Sequence, residues 1–261
     1  MTITHTRFLC FGFGLVLILA GSIAYRRVVL VNATKAAELE ATQVELEGTR
    51  LLKNGRRRDA ILLFDRAIRL NARYGRAYYQ RGLAYFDIRQ YGRAVQDFTQ
   101  TLQLKEHVAH AHQARASAYI ALRQYQNALN DINAAIRLNS NDANAFFTRG
   151  FILDKIGTPA QAIENFNAAL KLDPKLKDAH FQRGRNYGKM HQYQRAEQDF
   201  SAAIRADSRY APAYGNRGLA LLRQGHDAMA QKDFARCFQL DKSLAPAYTK
   251  IIQREKARRG R

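Results

Sequence analysis

Ala143–Leu176, ANAFFTRGFILDKIGTPAQAIENFNAALKLDPKL, is the stretch on which the fold turns. Phe146, Gly150 and Leu153 lie on one face at helical spacing, and Ala162, Phe166 and Ala169 do the same before Asp173-Pro174 stops the segment. Gly157-Thr158-Pro159 separates the two stripes, so the stretch reads as two antiparallel helices, A and B. Neither helix can bury its apolar face alone. The chain answers by repetition.

From Ala41 the template recurs every 34 residues without insertion, in repeats beginning at Ala41, Gly75, Ala109, Ala143, Lys177 and Ala211. The eighth place holds Gly48, Gly82, Ala116, Gly150, Gly184 and Gly218, and the twentieth holds Ala60, Ala94, Ala128, Ala162, Ala196 and Ala230. The twenty-fourth holds Phe64, Phe98, Ile132, Phe166, Phe200 and Phe234. Small residues let helix A approach helix B, and the large one is expected to fill the space between one repeat and the next. Over residues 41–244 the period and small-residue places resemble the tetratricopeptide repeat family. The fourth place departs from it, with Val44, Tyr78, His112, Phe146, His180 and Tyr214 instead of tryptophan, and of the closing prolines Pro174 remains.

The resemblance implies an all-α, right-handed superhelix (an α-solenoid) of six helix-turn-helix repeats, at 41–74, 75–108, 109–142, 143–176, 177–210 and 211–244. Residues 245–261 read as a basic capping helix and tail. Ala245-Pro246-Ala247-Tyr248 echoes Ala211-Pro212-Ala213-Tyr214, after which REKARRGR turns polar as a terminal cap should. Residues 28–40 read as a helical linker.

Residues 1–27 read as a membrane anchor or signal peptide. Phe8–Tyr25 carries no charge and is bounded by Arg7 and Arg26-Arg27, a length near the minimum for a spanning helix. Ser22-Ile23-Ala24 offers a peptidase site, whereas arginines directly after it suit a retained anchor better. The expected location is therefore a membrane, by a single N-terminal anchor, with export after cleavage as the alternative. Basic residues flank both ends, so orientation is not set.

The 261-residue chain has a formal charge of +20 and a pI near 10.3. Residues 41–244 contain 32 basic and 19 acidic residues, so the excess is spread along the array, with concentrations at Arg56-Arg57-Arg58 and in the tail. Part of it has a structural reading. The seventh place holds Arg81, Arg115, Arg149, Arg183 and Arg217, and the twenty-third holds Asp97, Asp131, Asn165, Asp199 and Asp233. An internal ladder, each arginine bonded to the facing helix B, is expected. The remaining charge would attract acidic proteins, nucleic acid or anionic lipid.

No GxSxG, HExxH, P-loop or paired-carboxylate pattern is found, so an enzyme is not expected. His107, His110 and His112 are spaced so that three rings cannot converge on a helix; no metal or cofactor is expected. Cys10 and Cys237 form no framework, and Cys237 stands where Ala135, Ala169 and Ala203 stand elsewhere, as a small packing residue.

The resemblance further implies a partner surface along helix A, at the second, fifth, sixth, ninth, twelfth and thirteenth places of the repeat. Here these include Tyr79, Gln80, Leu83, Gln113, Phe147, Thr148, Phe151, Phe181, Gln182, Arg185 and Asn216. Tyr79, Phe147, Phe151 and Phe181 read as rings that A–B packing does not require, available for an extended peptide or a partner helix. Packing against the next repeat is the competing reading. The family's carboxylate clamp is not matched: Tyr79 with Leu83, and Gln113 with Ser117, stand where lysine and asparagine would be needed. The expected function is a non-enzymatic adaptor binding a protein or peptide ligand. The alternative is a basic array on RNA or an anionic membrane surface.

Overall fold

A computed structural model describes the backbone of residues 8–259 and the side chains of residue 30 and residues 32–258. The described residues form thirteen α-helices and no strand. In order these are α1 (Phe8–Lys53), α2 (Arg57–Leu70), α3 (Gly75–Asp87), α4 (Tyr91–Gln103), α5 (Val108–Ala121), α6 (Tyr125–Leu138), α7 (Ala143–Lys155), α8 (Pro159–Leu172), α9 (Lys177–Lys189), α10 (Tyr193–Ala206), α11 (Ala211–Arg223), α12 (Asp227–Leu240) and α13 (Ala245–Arg259). The C-terminal part of α1 is helix A of the first repeat. The side chains of the uncharged segment at 8–25 lie outside the described residues, and with them the reading of that segment as an anchor or signal. Among the described residues no helix is long and apolar enough to cross a membrane.

The chain forms two compact units, Met1–His107 and Val108–Arg261. Within each, a helix A packs on its own helix B and that helix B on the next helix A, the pairwise order expected of a solenoid. The expected eighth-place contact is present. A Cβ on Gly48, Gly82, Gly150, Gly184 or Gly218 would stand 2.7–2.9 Å from the ring of the phenylalanine sixteen residues on. That phenylalanine therefore fills the inside of its own helix pair. It also reaches the next repeat, as Phe64 shares a buried cluster with Ala84, and Phe200 one with Ala213 and Ala220.

Two turns recur. Between A and B, the fifteenth place takes a left-handed conformation in every repeat: Gly55, Gly157 and Gly225 at φ 78–88°, and Arg89, Arg123 and His191 at φ 58–63°. Between B and the next A, Asn71, Asn139, Asp173, Asp207 and Asp241 are extended, and each Oδ1 accepts the amide two residues on, an Asx turn. Lys105 occupies the same place without such an acceptor and takes φ 58°. The division between the two units falls in this linker.

At the C-terminal end, Tyr248 of α13 lies where a side chain on Gly215 would be, 2.3 Å from the hypothetical Cβ. Its hydroxyl accepts from Asn216 Nδ2 at 2.8 Å, and its ring is buried with Phe234 and Cys237. Cys237 is thus the small packing residue expected, with burial pushing its thiol pKa up. Gly215→Ala drives a methyl group into the Tyr248 ring. Overpacking of this kind costs about 1–3 kcal/mol, and here the load falls on one helix. Amide exchange should accelerate across 245–259 while α7–α10 remain protected; unchanged exchange in α13 would contradict this account of its seat.

Candidate functional site

The ladder forms as the spacing suggests. Arg81, Arg115, Arg183 and Arg217 each donate through Nε and Nη2 to the two oxygens of Asp97, Asp131, Asp199 and Asp233, at 2.6–2.9 Å. Arg149 donates Nε to Asn165 Oδ1 at 2.6 Å. A second contact was not foreseen. Nη1 of Arg81, Arg149, Arg183 and Arg217 reaches the twenty-fifth place of the preceding repeat, at Asp65, Asn133, Asn167 and Ser201. Each of these arginines therefore ties its own helix pair to the helix B before it.

Electrostatics follows from these partners. Burial opposes the charge of Arg81, but hydrogen bonds and charge from Asp97 and Asp65 outweigh it and raise its pKa. Burial lowers that of Arg149, which faces neutral Asn165. The fourth place takes part as well: Tyr78, Phe146 and Tyr214 lie 5.2–5.6 Å from the guanidinium carbons of Arg81, Arg149 and Arg217. His112 and His180 bond Asp131 and Asp199 through Nδ1 at 2.8 and 3.2 Å. These arginines are structural. His107 lies elsewhere, stacked on Tyr79 with centroids 5.6 Å apart.

The proposed surface rings require a correction. Tyr79, Phe147 and Phe181 are used by A–B packing, because their centroids lie 5.8–5.9 Å from those of Phe98, Phe166 and Phe200. Phe181 is 8% exposed and also meets Tyr210 at 5.0 Å. The fifth place sits over the edge of the buried twenty-fourth, with Phe181 buried and Tyr79 and Phe147 half-buried there. Phe151, at the ninth place, is half-buried outside these clusters, with Lys155 Nζ 5.0 Å above its ring.

Gln80 and Leu83 are half-buried on α3 in the first unit; Gln113 and Thr148 are half-buried on α5 and α7 in the second. Gln113 Nε2 donates to Asp142, the residue that caps α7. Gln182 Oε1 accepts from Arg185 Nη1 at 2.9 Å, and Asn216 Nδ2 bridges Pro212 O and the Tyr248 hydroxyl.

Arg185 and Asn216 come together in an open cleft of about 450 Å³ in the second unit. Phe200, Leu219, Ala220 and Ile251 give it apolar walls, and Lys189, His191, Arg223, Glu255 and Arg258 surround them. Lys189 and Arg223 occupy the thirteenth place, which the helix A rule already covered. Ile251 and Glu255 were not foreseen, because α13 read as a solvated cap. The basic run Arg56-Arg57-Arg58 is partly neutralised: Arg56 pairs with Asp59 at 2.8 Å, and Arg57 with Asp87 at 3.0 Å.

A tetratricopeptide repeat model matches residues 46–107, 114–177 and 181–235. Solved structures similar to the chain include YrrB, described as a TPR protein with an unusual peptide-binding site, at 25% identity and TM-score 0.59, covering 69% of this chain and 95% of that one. MamA from Desulfovibrio magneticus RS-1 matches at 22% identity and TM-score 0.61, covering 65% and 96%. PilF from Pseudomonas aeruginosa matches at 14% identity and TM-score 0.70, covering 79% and 94%. No curated protein matches.

Proposed function

This chain belongs to the tetratricopeptide repeat family, whose members mediate protein–protein interactions, and on that premise we propose that it is a non-enzymatic adaptor. It holds an extended peptide or a helix of a partner protein against the helix A faces of its repeats. The observation that supports this most is the cleft beside α9 and α11, where apolar walls stand next to convergent amide and guanidinium groups. Such a mixture suits peptide recognition, with apolar area for affinity and a few polar groups for register. YrrB, described by a peptide-binding site on a similar fold, is consistent with it.

A photo-crosslinking residue placed at Gln182, on helix A, should give adducts with a partner protein in cells. The same residue at the exposed Gln198, on helix B, should give few. Equal labelling of the two positions, or adducts with nucleic acid alone that vanish as salt rises, would sink the adaptor reading. Phe151→Ala should weaken partner binding while changing stability by no more than about 1 kcal/mol, since the ring lies outside the buried clusters.

We also infer that Phe8–Tyr25 tethers the array to a membrane or directs its export. Its support is the uncharged run between arginines. Membrane fractionation with mass measurement of the mature N-terminus separates a retained anchor from a cleaved signal, and recovery of the whole chain in the soluble fraction would refute both.

A further inference from the structure

We propose that the cleft among α9, α10, α11 and α13 reads an acidic side chain on an extended peptide, with Arg185 and Arg223 as readers and Glu255 of the same chain as an internal competitor. This rests on the adaptor reading and adds the chemistry of the partner.

The charges around the cleft do not balance. Arg185, Lys189, Arg223 and Arg258 line it, against Glu255 as the one lining carboxylate. Lys189 is paired outside the lining set, with Asp154. Arg223 Nη2 lies 2.8 Å from Glu255 Oε1, and Arg258 Nη1 is 3.8 Å from the same oxygen, so two cations share one carboxylate. Among the described residues Arg185 has no carboxylate within ion-pair distance; its partner is the neutral Gln182. Two carboxylates therefore face four cations, and Arg185 is left with a guanidinium fork able to take a carboxylate bidentately.

Glu255 shows what the cleft accepts. Its side chain is 14% exposed and reaches in from α13 to bond Arg223. A carboxylate carried on a chain passing this point is thus already accommodated, beside Leu219 and Ile251. A glutamate followed by an apolar residue matches that pairing of guanidinium and apolar wall. The apolar walls favour a peptide over a phosphate backbone, which would leave them uncovered.

The full chain should be titrated by fluorescence anisotropy with a short labelled peptide alternating glutamate and leucine, and with its glutamine counterpart. The glutamate peptide is expected to bind about tenfold tighter at low salt, a difference of one well-placed charge contact. Arg185→Glu should erase that preference with little change in the melting curve, since among the described residues the side-chain hydrogen bond of Arg185 is to Gln182 alone. Glu255→Gln should tighten the glutamate peptide severalfold by releasing Arg223. Equal affinity of the two peptides, or weaker glutamate binding by Glu255→Gln with α13 still protected from exchange, overturns the proposal. So does single-stranded RNA or a phosphatidylserine vesicle that binds in an Arg185-dependent manner where the glutamate peptide does not. If both peptides bind equally and Phe151→Ala weakens both, the adaptor reading survives and the acidic preference alone is lost. If neither peptide binds and Gln182 yields no cross-link, both fail together.

Discussion

Replacing Asp131 with alanine is expected to cost about 3–5 kcal/mol, the usual penalty for breaking one partner out of a buried ion pair. Asp131 is 4% exposed. Its two oxygens accept Nε and Nη2 of Arg115 at 2.8 Å, and Oδ1 also bonds His112 Nδ1 at 2.8 Å. Alanine removes the carboxylate from both at once. The Arg115 side chain is 18% exposed, so water restores only part of what the carboxylate supplied. The neutral amide is the informative control. Asn165 already holds Arg149 at 2.6 Å in the corresponding place, so Asp131→Asn should lose clearly less than Asp131→Ala. Urea unfolding followed by circular dichroism gives the size of the loss, and amide exchange shows whether it is concentrated in α5 and α6. An alanine variant with an unchanged midpoint would show that the ladder is ornamental.

The ladder also shows why some of the structure was legible in the sequence and some was not. A feature that uses one kind of residue at one place in at least five of the six repeats announces itself. The small eighth place, the alanine at the twentieth and the arginine at the seventh are of this kind. The second ladder contact is chemically uniform but alphabetically varied: Asp65, Asn133, Asn167 and Ser201 share an acceptor oxygen and little else. The left-handed fifteenth place was hidden in the same way, by Arg89, Arg123 and His191 standing where Gly55, Gly157 and Gly225 stand elsewhere.

The packing role of three rings was not legible for a different reason. Helical position alone places Tyr79, Phe147 and Phe181 at the border of the buried face. Whether a border ring is core or surface depends on the side chain beneath it, here the twenty-fourth-place phenylalanine. The cleft was not legible because α13 supplies Ile251, Glu255 and Arg258 to it, and the repeat pattern ends in that helix. Polar composition there reads as solvation, yet the Glu255 carboxylate is turned inward.

Phe166→Ala should cost about 3–5 kcal/mol, as truncation of a fully buried phenylalanine does, and its coupling to Gly150 tests the packing principle of the whole array. Phe166 is 0% exposed, and its Cε1 lies 2.8 Å from where a Cβ on Gly150 would be. Gly150→Ala alone must therefore push the ring or the helix aside, although alanine is the better helix former by about 1 kcal/mol. With the ring gone, that methyl group enters the space Phe166 has vacated. The double variant should accordingly be less destabilised than the sum of the two single variants, by about 0.5–3 kcal/mol, the range found for residues in contact. Relief will be incomplete, because Ala162 O also stands 3.1 Å from the new carbon. Additive losses would mean that glycine at the eighth place is not there to admit the ring of the twenty-fourth. In that case the close approach of α7 to α8 would need another cause.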